Sequence, residues 1–266
     1  MNPGRSEVQG HTKRSITHCY CNNRIAGGGP ADIQKYPFSA ALLTNNGQGT
    51  SFSHRCGGTI LTNNAILSAA SCFYTNLDAH PSGWWRARVG TSYSNTGGSI
   101  YLISRITPNP DFSPTTLVND IAILRTTLTM ALVPGSVEVA RISGTAYTFG
   151  VNQAVRAIGW GATSNQVTTS SPELREVQIW TISQTTCANR WNVLGFTVTD
   201  NMVCVGWLDV GVRGQCAGDQ GSPLLDDNGV FVVGVFSRAD GCAQGWYPDV
   251  NTRVAPYVRW IQATVY

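Results

Sequence analysis

Nucleophilic catalysis needs a reactive heteroatom and a base to take its proton, and this sequence offers few candidates for the base. Its 266 residues hold four histidines, His11, His18, His54 and His80. The segment Asn119-Asp120-Ile121-Ala122-Ile123-Leu124 sets one acid directly before an apolar run, where burial would raise its pKa and suit it to acid–base work. Gly218-Asp219-Gln220-Gly221-Ser222-Pro223 brings an acid, an amide and a hydroxyl into one glycine-rich turn. Eight cysteines complete the reactive set. Cytosolic thiols are kept reduced, so that number points to an oxidising, extracellular setting and to disulfides. Neither a metal site nor a cofactor is expected.

The elements that must hold these residues are short strands. From Ile25 onward, apolar runs such as Ser39–Leu43, Ala65–Leu67, Ile121–Leu124, Ala154–Ile158 and Val230–Phe236 alternate with Gly, Pro, Asn and Ser. Many short strands between turn signals indicate an all-β sandwich or barrel. Val254, Tyr257, Val258, Ile261 and Val265 recur at helical spacing and predict one C-terminal helix, with Pro256 in its first turn. Ser183 is placed to cap a second, short helix through Cys187. Residues 1–24 are polar and weakly patterned and are expected to form a pro-segment or tail; they lack the apolar stretch of a signal peptide.

Composition narrows the function. Only 12% of residues are charged and 42% are apolar, which argues against a disordered chain. No stretch nears the roughly 18 consecutive apolar residues of a membrane span, and a net charge of +3 without basic clusters gives no footprint for nucleic acid. Of the 18 basic residues 16 are Arg, Lys13 and Lys35 being the exceptions. Lys titrates near pH ~10.4 and Arg beyond ~12, so the bias suits a very alkaline fluid, with sequence drift the plain alternative.

Several segments resemble the trypsin-like serine proteases. Arg24-Ile25-Ala26-Gly27-Gly28 looks like their activation site. Cys56-Gly57-Gly58-Thr59 with Leu67-Ser68-Ala69-Ala70-Ser71-Cys72 is similar to their catalytic-histidine motif, except that Ser71 stands at the histidine. Asn119–Leu124 matches the aspartate motif through Asp120, and Gly218–Pro223 matches the nucleophile motif, except that Gln220 stands at the serine. More narrowly, Asp200-Asn201-Met202, Gly206–Gly211, Gly241–Gln244 and Val250–Val254 resemble digestive trypsins of moth and butterfly larvae, which work in an alkaline gut. The resemblance covers residues 25–266. It implies two antiparallel six-stranded β-barrels, at about 25–140 and 141–252, and a C-terminal helix at about 254–265. It also implies the bridges Cys56–Cys72, Cys187–Cys204 and Cys216–Cys242. Cys19 and Cys21 are left over: free, joined to each other or linked to another chain, with the strain of a bond between residues only two apart favouring the free or intermolecular state.

In that family a histidine takes the serine proton while an aspartate orients the imidazole. Here only Asp120 survives. A serine hydroxyl is no general base and a glutamine amide no nucleophile, so the family mechanism is not expected; loss of either part costs roughly 10⁶ in kcat. His54 is expected to support the framework without facing substrate, and His80 to be solvated. Ser222 stands two residues past the nucleophile turn and is a poor substitute. Asp120 is either a leftover buried carboxylate held by Ser71 and Ser237 or an acid–base group for some other reaction. By the same resemblance Asp219 would pair with the freed amino group of Ile25, and the Gly218 and Gln220 N–H groups would line an oxyanion-hole-like site open to a carboxylate or carbonyl oxygen.

The specificity pocket departs from a trypsin's as well. Gly214 stands at the arginine-reading aspartate, while Asp249 replaces a glycine on the opposite wall. Arg238 and Ala239 follow Ser237 where a Trp and a Gly are usual, and Arg238 is expected to crowd the cleft or reach Asp249 or Asp240. The expected function is a secreted, zymogen-like protease homologue without proteolysis that binds a protein partner, as an inhibitor decoy or a protease-cascade adaptor, with an alkaline gut lumen as one setting. Two alternatives stay open: a cleft redeployed for a small-molecule reaction, and a structural component disulfide-linked through Cys19 or Cys21.

Overall fold

A computed structural model describes residues 25–167 and 169–266. Six strands close the first barrel: β1 (Ser39–Thr44), β2 (Ser53–Thr62), β3 (Ala65–Ser68), β4 (Trp85–Val89), β5 (Ser99–Pro108) and β6 (Ala122–Thr126). Their order around the barrel is β1-β2-β3-β6-β5-β4 and back to β1, antiparallel throughout. The second barrel uses β7 (Ala154–Gly159), β8 (Arg175–Ile182), β9 (Met202–Gly206), β10 (Pro223–Asp226), β11 (Phe231–Arg238) and β12 (Asp249–Arg253). It closes in the same order, β7-β8-β9-β12-β11-β10 and back to β7. Two-residue segments, Gly29–Pro30 and Arg141–Ile142, add themselves to β8 and β11.

The burial of each strand follows from its side-chain period of two. In β4, Trp85, Ala87 and Val89 are buried while Arg86 and Arg88 are only partly covered; in β8 the alternation runs through all eight residues. A one-residue slip would turn these sets outward, which fixes the register. Closing both sheets leaves no long unpaired edges among the described residues.

Two helices complete the fold. The Ser183 hydroxyl accepts a hydrogen bond from the Thr186 N–H and starts α1 (Gln184–Asn192), whose Cys187 and Trp191 are buried. At the C-terminus a 3-10 turn, Ala255–Tyr257, leads into α2 (Val258–Val265). The buried positions Val258, Ile261 and Val265 lie on one face and join the core of the first barrel, and Arg125 Nη2 donates to the Thr264 carbonyl at 2.8 Å. The chain thus leaves the second barrel and clamps back onto the first. Disulfides join Cys56–Cys72, Cys187–Cys204 and Cys216–Cys242.

Candidate functional site

Ser71, Asp120 and Gln220 meet between the barrels. Ser71 sits in the 3-10 turn Ala70–Phe73 after β3. Asp120 precedes β6 and is fully buried. Gln220 lies in a turn from the second barrel whose carbonyl accepts the Gly57 N–H at 2.8 Å, stitching it to the first. Gly221, at φ +81°, is needed there: a Cβ would collide with Ser68 Oγ and the Gly57 carbonyl.

Asp120 receives three short donors. Its Oδ1 accepts the Ser71 N–H at 2.7 Å, and its Oδ2 accepts the hydroxyls of Ser71 at 2.8 Å and Ser237 at 2.6 Å. Burial pushes its pKa up, and these donors pull against it by favouring the carboxylate. The Ser71 hydroxyl spends its proton on this acid, so it presents no base to the cleft.

At the oxyanion-hole-like position, Gly218 N–H donates to Oε1 of Gln220 itself at 2.8 Å. The expectation that this amide stands open to a ligand is corrected: the side chain at the nucleophile position already fills it. Ser222 is 1% exposed and its Oγ has no partner among the described residues, so it is closed to any substrate.

His54 keeps a framework position at the edge of the cleft, and His80 departs from expectation. His54 lines the cleft although its ring nitrogens are shielded from solvent; burial lowers its pKa to about 4, leaving a neutral imidazole beside Trp160. No hydrogen bond joins it to Ser71, Asp120 or Gln220 among the described residues. His80 is not simply solvated: Nε2 lies 2.7 Å from Thr75 Oγ1, and the ring stacks near Trp84 and Trp85.

Asp219 accepts backbone N–H groups from Gly161 at 2.7 Å and Cys216 at 2.9 Å; burial raises its pKa to about 7. Ile25 is fully buried, while Arg24, Cys19 and Cys21 lie outside the described residues. Asp249 is also buried. Its Oδ2 takes the Gln215 N–H at 2.6 Å and lies where a side chain at Gly214 would begin. Burial, then the charge of Asp219, holds the Asp249 carboxyl well above the usual carboxylate range. An acid whose charged form is disfavoured there offers a basic side chain a weakened counter-charge.

The cleft itself encloses about 550 Å³ between the barrels and is lined by Ser71, Gln220, Ser237, Arg238, Ala239 and Arg55 among others. Arg238 does not reach Asp249 or Asp240. Its guanidinium lies over the rings of Phe196 at 4.4 Å and Trp191 at 4.7 Å. Two features carried no sequence signal. Arg55 stands on the cleft wall, and Asn165 Oδ1 holds the Cys242 N–H at 2.6 Å, drawing the loop at 162–167 toward the second wall. A chamber of about 250 Å³ lies there, sharing Ala217, Gln220 and Ala239 with the main cleft.

Comparison with known proteins agrees with this architecture. The family model described as Trypsin matches residues 25–261. The chain is 46% identical over 239 residues to "Trypsin, alkaline A" of Manduca sexta and 45% identical over 240 residues to "Trypsin CFT-1" of Choristoneura fumiferana, with 90% of each chain covered in both cases. Among solved structures it is similar to the scabies mite inactivated protease paralogue S-D1, at a TM-score of 0.78 and 24% identity over 90% of this chain and 96% of that one. With twin barrels, a shared strand order and a family match running from the buried Ile25 into α2, this chain belongs to the trypsin family of serine proteases.

Proposed function

We propose that this chain is a secreted member of the family that works by binding and not by peptide hydrolysis, as an inhibitor decoy or an adaptor in a protease cascade. The observation that carries this reading is at Gln220. An amide stands where the family's nucleophile attacks, and its Oε1 holds the Gly218 N–H that a tetrahedral oxyanion would need. Ser71, at the position of the base, is bound to Asp120 and offers no group that can accept a proton near neutral pH. What survives is the frame of a protease cleft, and a frame that can be occupied without turnover is suited to holding a protein. The three disulfides support an extracellular setting.

The test is a fluorophosphonate probe together with a panel of peptide substrates, run beside an active trypsin at neutral and alkaline pH. No labelling and no hydrolysis are expected. Covalent labelling of any serine overturns the reading.

A further inference from the structure

Resting on that binding role, the cleft's charges name the chemistry of its occupant. We propose that the cleft receives an acidic polypeptide segment, with one carboxylate held by the guanidinium of Arg238 and another met by Arg55.

Arg238 ends β11 at the cleft wall and is half-buried. Its guanidinium carbon lies over the rings of Trp191 and Phe196, themselves buried and tilted 62° to each other, which holds the head group at the cleft wall. A guanidinium held by aromatic faces still has N–H groups to give a carboxylate, and its position is set in advance. Among the described residues Arg238 makes neither an ion pair nor a side-chain hydrogen bond. Its acidic neighbour, Asp240, is exposed and lies outside ion-pair reach; burial lowers the Arg238 pKa, with Asp240 offsetting this in part. A partly desolvated cation without a counter-ion gains from any ligand that supplies one.

The rest of the lining has the same bias. Arg55, on β2 of the first barrel, is exposed and has no ion pair among the described residues. Among the described residues no acidic side chain lines the cleft. Asp120 lies beneath it, fully buried, with its oxygens taken by Ser71 and Ser237. The Gln220 Oε1 is used by Gly218, which leaves its NH₂ as the group to offer. The cleft therefore presents donors and positive charge, with its strongest acceptor spent.

Two cations on opposite barrels, flanking an open cleft, favour several carboxylates carried along one chain over a single small anion. The leading residues of this same chain are a poor occupant on charge: Arg5, Lys13, Arg14 and Arg24 stand against Glu7 alone.

The experiment uses a dye-labelled, end-blocked hexaglutamate peptide, with hexaglutamine as the neutral control, read by fluorescence anisotropy at low and high salt. The full-length chain should bind hexaglutamate, weakly at high salt, and should not bind hexaglutamine. Arg238→Gln should weaken binding by about ten-fold or more, Arg55→Gln by less, and Arg259→Gln, on the outer face of α2, by nothing measurable. Arg238→Lys keeps the charge and loses the fork, so an intermediate affinity guards against a folding artefact. Equal binding of hexaglutamine, an unchanged Arg238→Gln, or succinate competing as well as the peptide each overturns the proposal. Mass spectrometry of the recovered peptide separates the two readings. Peptide neither bound nor cut defeats this assignment and leaves the non-catalytic role standing, whereas peptide bound and cut defeats that role and leaves the charge assignment intact.

Discussion

Gln220 and Ser71 do more than omit two reactive groups; each makes bonds that the working residue would not. Gln220 closes its own Gly218 N–H at 2.8 Å, and Ser71 donates to Asp120 at 2.8 Å where an imidazole N–H would donate instead. Asp120 is thus still held by Ser237 and by the Ser71 backbone N–H, in a position to orient a histidine. Restoring both residues should therefore restore chemistry, and restoring one should not, because nucleophile and base act as a unit. The pair Ser71→His with Gln220→Ser is expected to react with a fluorophosphonate at least about ten-fold faster than either single variant. Equal rates in all three would mean that Asp120 no longer positions a base.

The turn that carries Gln220 shows which parts were legible in the sequence and which were not. Short alternating runs, the capping Ser183 and the spacing of Val258, Ile261 and Val265 act locally, so strands, both helices and their buried faces could be anticipated from neighbouring residues. The junction of Asp120 with Ser71 and Ser237 came through the family resemblance, because it joins residues 49 and 117 positions apart. Gln220 folding back on Gly218, Arg238 stacking on α1, and Asn165 reaching Cys242 depend on rotamers and on distant partners, and no pattern announces them. Ser222 is of the same kind. It looked like a hydroxyl near a reactive turn, yet it is wedged against Gly57 and Gly159 with no partner for Oγ among the described residues. An unpaired buried hydroxyl is a cost, so Ser222→Ala should raise stability by about 1 kcal/mol, while Gly221→Ala should lower it by more than about 1 kcal/mol through collision and a left-handed backbone. Urea midpoints of the two variants check the signs, and a destabilised Ser222→Ala would show that Oγ is satisfied after all.

Over the whole molecule, the buried acids between the barrels couple stability to pH and to the state of the chain before Ile25. Asp219 and Asp249 are buried, the first held by two backbone N–H groups and the second by one, and neither has an ion-pair partner among the described residues. Burial raises the Asp219 pKa from 3.8 to about 7, and raises that of Asp249 in the same direction. Across that interval the unfolded chain has released its proton while the folded chain keeps it. The folded state then binds more protons at these two acids, so the Asp219 contribution to stability falls as pH rises from about 4 and levels off above about 7. Asp249 adds a loss of the same sign, and neutral His54 offsets part of it below about 6.5. Ile25 is buried in the second barrel, and the Ala26 carbonyl accepts the Gly214 N–H at 3.2 Å, which ties this end of the described chain to the wall facing Asp249. Cleavage after Arg24 would create an ammonium group at Ile25. If that group pairs with Asp219, it favours the carboxylate, lowers its pKa and removes the alkaline loss. Thermal midpoints should then fall with rising pH for the intact chain, and stay several degrees higher near pH 8 for chain cut after Arg24, as verified by N-terminal sequencing. The two should converge only at a pH below the lowered pKa of the paired Asp219, where the acid is protonated in both. Parallel curves across the whole range would exclude Ile25 as the partner of Asp219.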